Sequence, residues 1–265
     1  MNSLSHGCRR ASSLGEGAFG MAGTLTVCRK TSRLRQRPHL RGGCLRSRLG
    51  ECPDGSHSKK MKKNQEWGTA LLRRAHHRKE KTMSKIAIFL ANGFEEIEGL
   101  TVVDICRRCG LTIDMVSITE EKQVMGSHKI PVTADMTLSQ VNFEEYDCLV
   151  LPGGGQGTKN LEACEPLMQQ IDAFYASGKY IAAICAAPSI FGHRGILKGK
   201  RACAYPCFED HLEGAAVTAG PVEVDGNVIT SRGMGTSIPF GLAIAGVFCG
   251  QDKADACAHA IVFQP

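Results

Sequence analysis

Cys185 ends the short apolar run Tyr180-Ile181-Ala182-Ala183-Ile184 and stands three residues before Pro188. A buried strand leading to a proline suited to a first helical turn places the thiol at the apex of a strand-to-helix turn. This is the nucleophile-elbow arrangement, with Cys in place of Ser. A thiol there lies near a helix N-terminus, whose dipole and free N–H groups favour thiolate and lower the pKa. The same spacing fits a small buried core thiol equally well.

Glu98 is the candidate partner, in Asn92-Gly93-Phe94-Glu95-Glu96-Ile97-Glu98 after the first apolar run. A carboxyl enclosed at the same sheet edge has its pKa raised by desolvation. In its protonated form it can hydrogen-bond the thiolate and act as general acid/base. The alternative is a solvated Glu that suits the helix dipole, the role expected of Glu95 and Glu96. Gly153 and Gly154, in Pro152-Gly153-Gly154-Gly155-Gln156-Gly157, let backbone approach a reacting atom. Their amides, with that of Ala186, could hold a developing oxyanion. A tight turn after a strand also accounts for the glycines. A phosphate loop does not: Thr158-Lys159 is not the Gly-Lys-Ser/Thr ending, and the dinucleotide spacing lacks its third Gly.

Elements must bring these loops together. Strands are predicted at 85–91, 112–118, 147–151, 180–184 and 201–204, then a hairpin over 221–231 turning at Asp225-Gly226-Asn227. Helices are predicted near 96–109, 164–178, 186–193, 207–213, 236–249 and 252–260. Strands apolar on both faces and separated by amphipathic helices indicate a parallel sheet covered on both sides. The fold class is thus α/β, one doubly wound domain over residues 84–265. In such sheets sites form at the carboxyl ends of the strands.

The net charge of +6 over 265 residues averages two unlike segments. Residues 1–83 hold 19 Lys+Arg against 5 Asp+Glu; residues 84–265 hold 13 against 21. The leader has no sustained periodicity and is expected to be disordered. It reads as an organelle transit peptide, as a nucleic-acid tail poor in stacking aromatics, or as an upstream stretch that is not translated. The last is preferred, because Met83 directly precedes the first strand and Lys79-Glu80 can be encoded by the purine-rich AAGGAG. No apolar run reaches the ~18–20 residues of a membrane span. Thirteen cysteines without a disulfide framework indicate reduced thiols and a cytoplasmic location. An acidic domain makes nucleic acid an unfavourable partner.

Leu151-Pro152-Gly153-Gly154, Ala183-Ile184-Cys185-Ala186-Ala187-Pro188, Glu95-Glu96-Ile97-Glu98 and Thr230-Ser231-Arg232-Gly233-Met234-Gly235-Thr236 occur in order. Together they resemble the ThiJ/PfpI superfamily, in the branch of the parkinsonism-associated protein deglycase and bacterial YajL. The similarity covers essentially all of 84–265 and leaves the leader out. It implies a flavodoxin-like (class I glutamine amidotransferase-like) sandwich, usually a homodimer. It also implies a reactive Cys at Cys185, a Glu hydrogen-bonded to it at Glu98, and amides of Gly154 and Ala186 facing the sulfur. Arg108 matches an Arg near the dimer interface. Members are described as glyoxalases that convert methylglyoxal to lactate without glutathione, as protein deglycases, and as redox-responsive chaperones. No metal or organic cofactor is implied.

Three departures matter. Ala186 stands where the peptidase-like branch has His, so a Cys-His dyad is absent. Tyr205 stands where human-type relatives place a His; a phenol of pKa ~10 is a poor base at neutral pH, although it donates hydrogen bonds. Proton shuttling then falls on Glu98. Ala187 replaces a common Gly, which narrows the pocket. Met234 is expected to line that pocket or pack against it. The expected function is a cofactor-independent glyoxalase or deglycase acting on small dicarbonyls or their adducts. The alternative is a redox sensor or chaperone whose thiol is oxidised to sulfinate.

Outside this constellation, Cys106-Arg107-Arg108-Cys109 has Cys-x-x-Cys spacing, and Cys203 and Cys207 complete an imaginable zinc set. Core thiols on a helix are the preferred explanation. His128, His193, His211 and His259 show no ligand spacing and are expected at the surface or as caps.

Overall fold

The computed structural model describes residues 84–264. The leader, with every expectation attached to it, lies outside the described residues.

Lys85–Leu90 (β1) shows why the sheet is central. Ile86, Ile88 and Leu90 point into one core while Ala87, Phe89 and the following Ala91 point into the other. A strand buried on both faces cannot alternate apolar with polar, hence its continuous apolar run. The chain continues through Glu96–Arg108 (α1) and Thr112–Ser117 (β2) to a small antiparallel hairpin, Gln123–Met125 (β3) and Pro131–Thr133 (β4), and then Met136–Thr137 (β5). Cys148–Leu151 (β6), Gly155–Glu162 (α2), Glu165–Ser177 (α3), Tyr180–Ile184 (β7) and Pro188–His193 (α4) follow. The last part holds Arg201–Ala202 (β8), Ala216–Val217 (β9), Val222–Asp225 (β10), Val228–Ser231 (β11), Ser237–Cys249 (α5) and Gln251–Ala260 (α6).

Seven strands make the main sheet in the order β10-β11-β7-β6-β1-β2-β5. All neighbours pair parallel except the β10–β11 hairpin. Residues of α1, α5 and α6 pack on one face around Val102, Ile105, Phe240 and Ile244. Residues of α2, α3 and α4 pack on the other around Leu161, Met168, Ile171 and Phe191. This is the doubly wound, flavodoxin-like arrangement.

The structure corrects several predicted elements. Of 201–204 only Arg201–Ala202 is strand, and it pairs with β9 outside the main sheet. The next residue, Cys203, instead gives its N–H to the Thr230 hydroxyl (3.0 Å). The helix predicted over 207–213 is a 3₁₀ turn, Pro206–His211. One expected helix start moved, with α4 beginning at Pro188 rather than 186, and the glycine-rich stretch after β6, expected as a loop, is helix from Gly155. Neither the β3–β4 hairpin nor β5 was expected, since runs of two or three residues carry no readable period.

Candidate active site

The strand order turns at β1: its successor β2 lies on one side and β6 on the other, which makes β1/β6 a switch point. Loops leaving β1, β6 and β7 deliver Glu98, Gly153 with Gly154, and Cys185 to this edge. Sequence reasoning grouped the same residues.

Cys185 is a non-glycine residue at φ +65°, in the left-handed region that L side chains resist. Its neighbours pin it there. Its N–H donates to the Ser231 carbonyl (3.0 Å), and its own carbonyl accepts from the Tyr205 N–H (2.8 Å). The conformation turns the side chain back over the sheet edge, as in a nucleophile elbow.

Glu98 is 1% exposed. Its Oε2 accepts from the Gly153 N–H (2.9 Å), and the carboxyl is hydrogen-bonded to the Cys185 side chain. Its Oε1 is buried with no protein hydrogen-bond partner. Burial pushes the Glu98 pKa up to about 7, against the pull of the Cys185 and Gly153 hydrogen bonds. The sequence expectation of a raised carboxyl matches this environment.

The expectation for the sulfur needs correction. Burial first, then the charge and hydrogen bond of Glu98, push the Cys185 thiol up. Backbone hydrogen bonds from Ala186 and Gly154 act in the opposite direction. The dipole argument failed because α4 has only six residues and begins three positions past the thiol. Two negative charges at this spacing oppose each other, so the pair titrates as a unit sharing one proton. A thiolate forms here when Glu98 keeps that proton.

Glycines set the walls. A Cβ on Gly153 would sit 2.5 Å from Glu98 Oε2 and 2.6 Å from Cys185 Cβ, which no packing tolerates. At Gly233 a Cβ would lie 3.4 Å from the Tyr205 ring and 3.9 Å from both Cys185 Sγ and Glu98 Oε1. Gly233 is the residue that sequence reasoning missed. The sequence marks its loop through Met234, whose side chain is half exposed. Tyr205 is also half exposed, with its ring beside Gly233 at the rim of the pocket.

Other residues lie elsewhere. Arg108 is at the far end of α1 from Glu98, exposed, with its Nε donating to Asp104 (2.6 Å). Glu96, expected in solvent, is buried under the β3–β4 hairpin. It accepts from the His128 N–H (2.8 Å) at Oε1, and at Oε2 from the Ser127 hydroxyl (3.1 Å), with His128 Nδ1 also 3.1 Å away. Burial alone would raise its pKa, but these bonds and its own backbone N–H outweigh that and hold it at about 2. Glu95, Glu96 and His128 bring two carboxylates and an imidazole within 4.8 Å of one another, the cation-compatible donor set of this edge. The imagined Cys106–Cys109–Cys203–Cys207 set does not assemble. Cys203 is bonded to Thr230 and Cys207 is exposed, while Cys106 and Cys109 are buried at the end of α1, with Cys109 Sγ 4.0 Å from the Lys253 carbonyl. His193 bridges Glu162 (2.6 Å) and His211 (3.1 Å) at the surface.

Known proteins share this organisation. The sequence pattern of the DJ-1/PfpI family matches residues 84–246. Protein DJ-1 homolog B of Arabidopsis thaliana is 34% identical over 183 residues, 68% of this chain and 42% of the plant protein. The chain therefore spans under half of that relative's length. Deglycase PH1704 of Pyrococcus horikoshii is 32% identical over 150 residues, 56% of this chain and 89% of the archaeal protein. The solved structure of oxidized Toxoplasma gondii DJ-1 superposes with a TM-score of 0.66 at 32% identity, covering 69% of this chain and all of that one. The family match opens one residue before β1 and ends inside α5, so it takes in every element that builds the thiol–carboxyl pocket. The chain belongs to the DJ-1/PfpI family.

Proposed function

We propose that this protein is a cofactor-independent enzyme acting on methylglyoxal and related dicarbonyls, or on their adducts, with Cys185 as nucleophile and Glu98 as acid/base. The observation that carries the reading is the enclosed carboxyl of Glu98, raised to about 7 and hydrogen-bonded to an elbow thiol. An acid tuned near neutrality can both give and take a proton at working pH. A relative bearing the name deglycase supports the same class.

The thiolate adds to the aldehyde carbon, forming a C–S bond, and the carbonyl oxygen takes the negative charge. The Gly154 and Ala186 amides favour that oxyanion, and a proton from Glu98 completes the hemithioacetal. The Glu98 carboxylate then removes the hydrogen on that carbon and returns it to the neighbouring carbon, while the hydroxyl proton passes to the neighbouring oxygen, leaving a lactoyl thioester. Water cleaves the thioester, giving lactate and the thiol. Methylglyoxal plus water becomes lactate with no external electron acceptor. Lactate formation by purified protein tests this. Cys185→Ala must abolish turnover, and undiminished activity in that variant removes the mechanism.

A second reading has its own support. The thiol sits beside a hydrogen-bonding acid, the pocket rim carries Tyr205 rather than an imidazole, and a structural relative is known in an oxidized form. In this reading peroxide oxidises Cys185 to sulfinate, stabilised by Glu98, and turnover is negligible. Intact mass after mild peroxide separates the two: a two-oxygen adduct on Cys185 together with no lactate favours the sensor.

A homodimer is part of the proposal, supported by exposed Ile97 and Leu100 on α1 and by exposed Met125 and Ile130 on the hairpin that caps Glu96. The nine cysteines of the described residues are free, which supports a reducing compartment such as the cytoplasm. No helix among the described residues is long and apolar enough to cross a membrane.

A further inference from the structure

Gly233 has no part in the steps just described, yet it faces both groups that perform them. A carbon at its Cβ position would lie 3.9 Å from Cys185 Sγ, 3.9 Å from Glu98 Oε1 and 3.4 Å from the Tyr205 ring, and these are its nearest contacts beyond the adjacent residues. All three are ordinary van der Waals distances. Gly153 differs: there a Cβ would collide with Glu98 and Cys185, so the fold itself requires glycine. At Gly233 the backbone is extended, with φ 161°, a conformation open to any residue. Neither conformation nor packing calls for glycine, so the room for one carbon serves something that is not part of the chain.

This wall is held in place. The Gly233 N–H donates to the Thr236 hydroxyl (3.1 Å), and the Thr236 N–H donates to the Gly233 carbonyl (2.8 Å). The Thr236 hydroxyl lies 2.7 Å from Ser231 Oγ, and the Ser231 carbonyl accepts the Cys185 N–H. Loop and elbow therefore form one frame. The same space meets Glu98 Oε1, which is buried and has no protein partner. A buried carboxyl oxygen left in this way calls for a partner from a bound molecule.

We propose that the face of Gly233 is the substituent subsite of the pocket, and that it selects α-oxoaldehydes whose keto carbon carries a methyl-sized group. The proposal rests on the dicarbonyl reading given above. The aldehyde carbon must come within bonding distance of Sγ, and the keto carbon is attached to it. A position at van der Waals distance from sulfur suits the group beyond them, which in methylglyoxal is the methyl. Held there, the methyl keeps the two reacting carbons beneath Glu98 Oε1, and the Tyr205 ring shuts out larger groups.

The test uses the full chain and two pairs of probes that differ at this group alone. Methylglyoxal and glyoxal serve as substrates. Chloroacetone and chloroacetaldehyde serve as alkylators of Cys185, whose sulfur displaces chloride while its proton passes to buffer. Gly233→Ala puts a methyl where the substrate's methyl would lie. It should lower kcat/KM for methylglyoxal relative to glyoxal by about 10–100-fold, and slow chloroacetone relative to chloroacetaldehyde by a similar factor. Gly235→Ala, in open space two residues along, should change neither ratio. Tyr205→Ala should speed phenacyl chloride relative to chloroacetone by ~10-fold or more, an arm independent of how Gly233→Ala folds. Lactate formation by the wild type with both ratios unchanged in Gly233→Ala overturns the subsite and leaves the proposed activity standing. No lactate, with chloroacetone still discriminated through Gly233, removes that activity and supports the subsite. An unchanged phenacyl ratio in Tyr205→Ala overturns the size limit.

Discussion

Glu96 and Glu98 stand two residues apart on the first turn of α1, both buried, and their surroundings drive them in opposite directions. Glu96 lies under the β3–β4 hairpin, where a backbone N–H, a hydroxyl and an imidazole reach its oxygens, and its pKa falls to about 2. Glu98 lies over the sheet edge with one amide, one thiol and an oxygen left without a partner, and its pKa rises to about 7. Burial is common to both. What separates a structural carboxylate from a proton carrier is the number of donors that the backbone supplies after burial.

Exchanging the chemistry of these two residues probes the contrast most strongly. Glu98→Gln should lower kcat/KM for methylglyoxal by about 10²–10⁴-fold, the usual worth of a positioned acid/base. Glu96→Gln should leave it within about threefold. Equal losses would show that the pair differs in titration but not in role.

Stability against pH gives the next effect. Below about 4.5 the Glu98 carboxyl is protonated in the folded and unfolded chain alike. Between about 4.5 and 7 the unfolded chain releases the proton while the fold holds it, so stability falls with rising pH, then levels off. The fall amounts to ~3 kcal/mol for this group. Glu96 has the opposite sign: its contribution is complete above about 4.5 and is lost as pH falls toward 2. Denaturant unfolding of Glu98→Gln and Glu96→Gln across pH should remove one slope each.

Smaller still is the cost of freeing the hairpin. Glu96→Ala leaves the His128 N–H and the Ser127 hydroxyl without their acceptor and should cost ~1–3 kcal/mol. Hydrogen exchange should quicken over 123–133 before it quickens in β1. At the low end, Tyr205→Phe should change stability by no more than ~0.5 kcal/mol, because Tyr205 holds the elbow through its backbone N–H.

Much of this was legible in the chain. β1, β6 and β7 are apolar on both faces, and Pro188 and the glycines after β6 punctuate them, so the sheet edge carrying Cys185, Glu98 and Gly153 could be read directly. Less legible was anything set by distant contacts. Glu96 reads as a solvated first-turn residue until the turn of the β3–β4 hairpin folds over it. Gly233 reads as a loop glycine until the Tyr205 ring is set beside it. The Cys109 thiol reaches the Lys253 carbonyl, 144 residues onward, a separation that no local spacing rule spans. The thiol's ionisation escaped for the same reason: helix position is local, whereas the carboxyl opposing it arrives from the first turn of α1.

The left-handed backbone at Cys185 carries a further implication for tolerance to change. A side chain there costs ~1 kcal/mol or more that glycine would not incur. Cys185→Gly should therefore yield a sturdier molecule than Cys185→Ala, though both lack sulfur. Persistence of a thiol at such a position runs against the interest of the fold, so random drift alone would tend to erase it.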